Sequence, residues 1–333
     1  MPSHRKFALY FTWDKGKEAG KPLEKLNNRF PALYELRRTA WPMLRNLNGG
    51  EQGIAGFLDR VVLEDFAMFI NTIRSETSVD PTIIASRELD GTGHSISEAV
   101  ATNAHTLIVV SLDHFDTKQA PTAEDLNAIR AFLTKPHRVL AVCPHHYIGG
   151  DVDEESANDT GDVFNRRVQE HRHHADPLVP AVQRIGGYAR SLLNGLGLPV
   201  DNIYGLRPAT EANGEPIPLV IDRSLDVEGF LGGKGRHLVS TFNAHPHLPH
   251  LQPVGPAIAA YRVLACQSVS LDADPHPFTS AGNSKFNALL WAPPTKDRQG
   301  HVLVCDATLW SAAFKGVAGI TNFWRNLAAM SVE

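Results

Sequence analysis

The chain has 333 residues, 43% of them hydrophobic and 20% charged, with a formal net charge of -4. This is the composition of a globular protein with a sizeable core, and its balance offers no basic face for nucleic acid. No apolar run reaches the roughly 20 residues of a membrane helix.

The three cysteines, Cys143, Cys266 and Cys305, are widely spaced, odd in number and each set in an apolar stretch. They do not suggest a disulfide framework, so a reducing cytoplasm is the default location.

KFALYFTW (6–13) is apolar and rich in β-formers, with Asp14 behind it. It reads as a first strand rather than a signal peptide, because Asp and Lys follow in place of a small-residue cleavage site. Apolar residues at 54, 57, 58, 61, 62, 66, 69, 70 and 73 recur at helical spacing and predict a long amphipathic helix over 54–74. PTIIAS (81–86) reads as a strand. Ser95 and Glu98 form a capping-box pattern that opens a short helix.

AHTLIVVSL (104–112) is a continuous apolar run of the kind found in buried parallel strands. Thr122 and Asp125 repeat the capping-box pattern. The helix behind them sets Leu126, Ile129, Phe132 and Leu133 on one face and stops at Lys135 and Pro136. RVLAVC (138–143) is the next buried strand. Strand, helix and strand within this length form a βαβ crossover, and repeated units imply a parallel sheet covered on both faces.

Residues 149–178 break the rhythm. GGDVDEESANDTGD is polar, acidic and turn-rich, and predicts a long loop insertion. A helix is expected over 179–194, with Val182, Ile185, Tyr188, Leu192 and Leu193 on one face. PLVID (218–222), RHLVSTF (236–242), FNALLWA (286–292) and HVLVCD (301–306) read as strands, some of them antiparallel. YRVLACQSVSL (261–271) fits either helix or strand, and a helix near 311–330 closes the chain. The expected fold is a single α/β domain over 1–333, a three-layer sandwich around a central, mostly parallel sheet. The 149–178 loop would lie over its cleft.

Nine of the sixteen histidines gather in DHFD (113–116), CPHH (143–146), EHRHHAD (170–176) and NAHPHLPH (243–250). Several clusters follow predicted strands, where ligands of open α/β sheets bind. Asp14, Asp113 and Asp306 end or follow strands in the same way. Imidazole and carboxylate are the usual ligands of a catalytic zinc or similar divalent ion, whose bound water becomes a nucleophile. The candidate ligands are His114, His145, His146, His174, His245 and His247, with Asp113 orienting a histidine or serving as base.

The order β–α–β ending in VLAVC, followed later by HPH at 245–247 and preceded there by GGKGRHLVS, resembles the class I glutamine amidotransferase-like superfamily, in its trehalose-utilisation-type or a related branch. That resemblance implies a nucleophilic Cys143 on a sharp turn after a buried strand, with His245 as its base.

Three functions follow. The first is a metal-dependent hydrolase acting on a small polar molecule at an amide-like C–N bond. The second is a Cys143/His245 hydrolase or amidase without metal. The third is a non-catalytic ligand-binding or assembly module. The expected partner is a small-molecule substrate, with no membrane or nucleic acid, and homo-oligomerisation is left open.

Overall fold

A computed structural model of the chain describes residues 4–18, 66–113, 117, 119–144, 187–204, 207–214, 216–240, 242, 250–270, 277–311 and 317–332. The architecture is α/β, built on an eight-stranded sheet. In chain order the strands are β1 (Phe7–Asp14), β2 (Thr82–Arg87), β3 (Thr106–Val110), β4 (Val139–Cys143), β5 (Val200–Asp201), β6 (Val220–Ile221), β7 (Gln252–Pro253), β8 (Arg262–Ser268), β9 (Lys285–Ala292) and β10 (His301–Cys305).

The large sheet has the order β2-β1-β3-β4-β10-β9-β8-β6, while β5 and β7 pair separately. The strands from β2 to β10 run parallel. Beyond β10 the pairing turns antiparallel through β9, β8 and β6. β9 pairs with β10 only from Leu289 onward, so its first residues, from Lys285, extend past the end of β10.

The described helices longer than one turn are α1 (66–77), α2 (Ile96–Ala101), α3 (Ala123–Leu133), α4 (Gly187–Gly195) and α5 (Val317–Ala328). They sort by face. Phe7, Leu9 and Phe11 of β1 meet Phe66, Phe69 and Ile73 of α1, together with Phe323 and Trp324 of α5. Ala8 and Tyr10 point the other way, into a core with Ile96, Ile129, Phe132 and Leu192 from α2, α3 and α4. Alternate side chains of one strand thus feed two cores. This explains why β1, β3, β4 and β10 are buried at every position and read as unbroken apolar runs. Both predicted capping boxes are present, at Ser95–Glu98 and Thr122–Asp125.

Arginines secure the opposite, amino-terminal end of the parallel strands. Buried Arg5 donates to Thr106 Oγ1 at 2.8 Å, His137 O at 2.9 Å and Ser331 O at 2.8 Å. Arg138 donates to Ala104 O, and Arg236 to Asn326 O at 3.2 Å. These carbonyls lie at or just beyond helix C-termini, where cations complement the helix dipole.

One expectation changes, and one open choice is settled. RHLVSTF is not a strand: over 236–240 it is irregular, tied by Val239 N to Leu231 O at 3.0 Å and by Asn326, which receives His237 N and donates to His237 O. Bonds to a turn and to a helix replace a ladder. The ambiguous stretch resolves as β8, with register shifts near Ala265 that blur its alternation. The closing helix is described over Val317–Ala328, with a 3-10 turn at Ala307–Trp310 earlier in the chain and 312–316 outside the described residues. The 149–178 loop, and the parts of the predicted helices before 66 and before 187, lie outside the described residues.

Packing between α3 and α4 supplies a direct test. A Cβ on Gly195 would stand 2.6 Å from Leu126 Cδ2. Gly195→Ala is expected to cost about 1–3 kcal/mol by overpacking, read from the midpoint of urea unfolding. An unchanged midpoint would show that the helices separate freely.

Candidate functional site

Within the parallel half, β1 is flanked by β2 and β3, so the chain reverses direction between β1 and β3. Such a switch point opens a crevice at the carboxyl ends of the strands. Asp113 sits there, buried at 4% exposure. Its Oδ1 accepts from Thr12 Oγ1 at 2.7 Å and Ser111 Oγ at 2.6 Å, and its Oδ2 accepts from Tyr188 N at 3.0 Å. Ser111 Oγ in turn accepts from Ala189 N at 3.1 Å. A carboxylate and a hydroxyl just beyond β3 therefore accept from the amides of Tyr188 and Ala189, in the first described turn of α4. Asp113 is a positioning group: both of its oxygens are engaged by neutral donors.

The rim beside it is polar. Asp14 Oδ1 accepts from Lys17 N at 3.0 Å, and its Oδ2 lies 3.5 Å from Arg87 Nε. Lys15 Nζ meets Glu88 Oε2 at 2.9 Å and lies over the Trp13 ring. Ser86 Oγ bonds both Trp13 O and Gln119 Oε1.

β4 ends next to β3, joined by Ser111 N to Cys143 O at 3.1 Å. Cys143 is the last residue of β4, extended as a residue before proline prefers. Its side chain belongs to the core formed with α1 and α5, at 1% exposure, and Sγ accepts a hydrogen bond from Trp310 Nε1 at 3.0 Å. Asp113 is fixed at the start of α4, on the other face. The structure therefore adjoins the backbones at these two predicted site positions but turns their side chains apart. Cys305 lies on the neighbouring strand, and burial pushes its thiol well up.

Asp306, directly after β10, was noted in the sequence only as a strand-end acid. Its Oδ1 accepts from Thr308 N at 2.9 Å and caps the 3-10 turn. Its Oδ2 and Thr308 Oγ1 are both buried without a hydrogen-bond partner among the described residues. Burial raises the carboxyl to about 6. An acid immediately after a wholly apolar strand was the available signal. The orphan oxygen becomes evident only in three dimensions.

His114, His145, His146, His174, His245 and His247 lie outside the described residues. Three of the described histidines have local tasks. His105 Nδ1 accepts from Lys6 N at 3.0 Å, and His301 Nδ1 accepts from Trp291 Nε1 at 3.3 Å. Burial, aided by nearby arginines, lowers both to about 4, so both are neutral near pH 7. His94 Nδ1 lies 2.9 Å from Glu98 Oε2.

Among the described residues no group of three or more His, Cys, Asp or Glu is placed to hold a metal ion. No helix among them is long and apolar enough to cross a membrane. No family model matches the chain, and neither the curated proteins nor the solved structures include a significant match.

Proposed function

We propose that the protein is a hydrolase of a small polar molecule, acting at an amide-like C–N bond at the carboxyl ends of β3, β4 and β10. The observation that carries this reading is the Ser111–Cys143 backbone bond, which sets the ends of β3 and β4 side by side. From those two ends the sequence continues into His114 and into His145–His146. Two buried carboxylates, Asp113 after β3 and Asp306 after β10, stand on either side of β4 in strand order. Their hydrogen-bond donors among the described residues are hydroxyls and amides. With both acids ionised, such a locus favours a cation.

The ligand set we infer for a divalent ion, zinc or similar, is His114, His145, His146, His245 and His247, with His174 from the acidic loop region. When bound, the ion would lower the pKa of a coordinated water and supply the nucleophile. Asp113 holds α4 and the end of β3 in place around that locus. The class I amidotransferase-like resemblance supports the same end of the sheet. The burial of the Cys143 thiol weighs against its use as nucleophile without prior movement.

Metal analysis of protein purified without a nickel column tests the proposal. Stoichiometric zinc or a similar ion is expected, lost in His145→Ala, with amide hydrolysis abolished by chelation and restored by the ion. Metal-free protein whose amidase activity ignores chelators would overturn the metal reading. Bound metal with no hydrolysis across an amide panel would overturn the hydrolase reading.

A further inference from the structure

We propose that the turn from Asp306 to Trp310 is a pH-dependent latch over Cys143, closed while the Asp306 carboxyl is neutral and released when it ionises. The inference does not rest on the hydrolase reading.

In the closed state the turn is attached at three points. Thr308 N donates to Asp306 Oδ1 at 2.9 Å, Trp324 Nε1 of α5 donates to Leu309 O at 2.7 Å, and Trp310 Nε1 donates to Cys143 Sγ at 3.0 Å. Phe69 of α1 and Phe323 of α5 pack against the Trp310 ring. Among the described residues, the titratable groups adjoining the turn are thiols, Cys305 beside Asp306 in the chain and Cys143 on β4. The helices contribute aromatic rings.

A neutral carboxyl is tolerated in such a place. A carboxylate with one oxygen unpartnered is not, because burial without a hydrogen bond carries the desolvation penalty of a charged group. The nearby Thr308 hydroxyl favours the ionised carboxyl, but burial outweighs it. Hydrating Asp306 Oδ2 requires the residue to swing away from the end of β10. The segment that must move is a four-residue 3-10 turn, a form with poor hydrogen-bond geometry. Its last residue carries the indole that covers Cys143, so release of Asp306 withdraws that cover. The carboxyl, raised by burial to about 6, sets the change within the physiological range.

Alkylation of Cys143 by iodoacetamide, followed by peptide mass spectrometry, tests the latch. At about pH 8 the wild-type Cys143 is expected to react roughly tenfold faster than in Asp306→Asn, whose side chain stays neutral, and the two should converge when the wild-type acid is protonated. Partly exposed Cys266 serves as the internal reference, with equal rates in both proteins. In the wild type, amide hydrogen exchange over 305–311, corrected for intrinsic pH dependence, should lose protection between about pH 5 and pH 8. Equal Cys143 rates in the two proteins at alkaline pH, or pH-independent protection of the turn, would overturn the proposal.

Discussion

Replacing Asp306 with asparagine is expected to stabilise the protein at alkaline pH and to change little in acid. The folded carboxyl is raised from an ordinary value of 3.8 to about 6. A group raised in this way favours folding in its protonated form. That contribution is fully present below the unfolded value and disappears as pH climbs through the folded one. The wild type should therefore weaken from about pH 4 to about pH 6 and then level off, by up to ~3 kcal/mol for roughly two pKa units. Asparagine keeps an oxygen for Thr308 N and carries no charge, so its unfolding profile should lack that step. Urea titrations of both proteins across this range check the result. A variant no more stable than wild type at about pH 8 would show that Asp306 is not strained by its burial.

Asp113→Ala should act in the opposite direction and at every pH where the carboxylate is ionised. It strips the shared acceptor from Thr12 and Ser111 and uncaps Tyr188 N. Buried donors left without partners, together with the lost charge-assisted bonds, suggest a cost of about 3–5 kcal/mol. Asp113→Asn, which preserves shape and an acceptor, should lose roughly 1–2 kcal/mol. Chemical denaturation measures both. If Asp113→Ala unfolds at the wild-type midpoint, the hub does not hold α4 against the sheet. The role of this acid would then have to be sought in chemistry.

The strands that bear the site were legible because they are buried on both faces. The runs at 104–112, 138–143 and 301–306 show almost no polar interruption, and each contains an observed parallel strand. Period and length decided those cases. RHLVSTF carried the same apolar signal, but its backbone bonds to Leu231 across the adjoining glycine-rich turn, to Leu219 and to the distant side chain of Asn326, pairings that an apolar pattern does not announce. The β8 stretch was undecidable for a similar reason: a register shift near Ala265 erases the period that would have marked it.

At the site, residue type and strand-end position pointed to Asp113 and Cys143 together, yet the two side chains leave the sheet on different faces. The sense of a final strand residue depends on where the pleat stops, and Pro144 helps fix that for Cys143. Thr12 and Ser111 were overlooked because a lone hydroxyl in an apolar strand looks like tolerated polarity. In fact they anchor the acid beside them.

The mismatch in strand length at the seam between the two halves of the sheet shapes access. Because β9 outruns β10 by the residues from Lys285 to Ala288, the ledge where the parallel strands stop is backed by a taller parapet on the antiparallel flank. A molecule resting above β4 and β10 would be shielded on that flank.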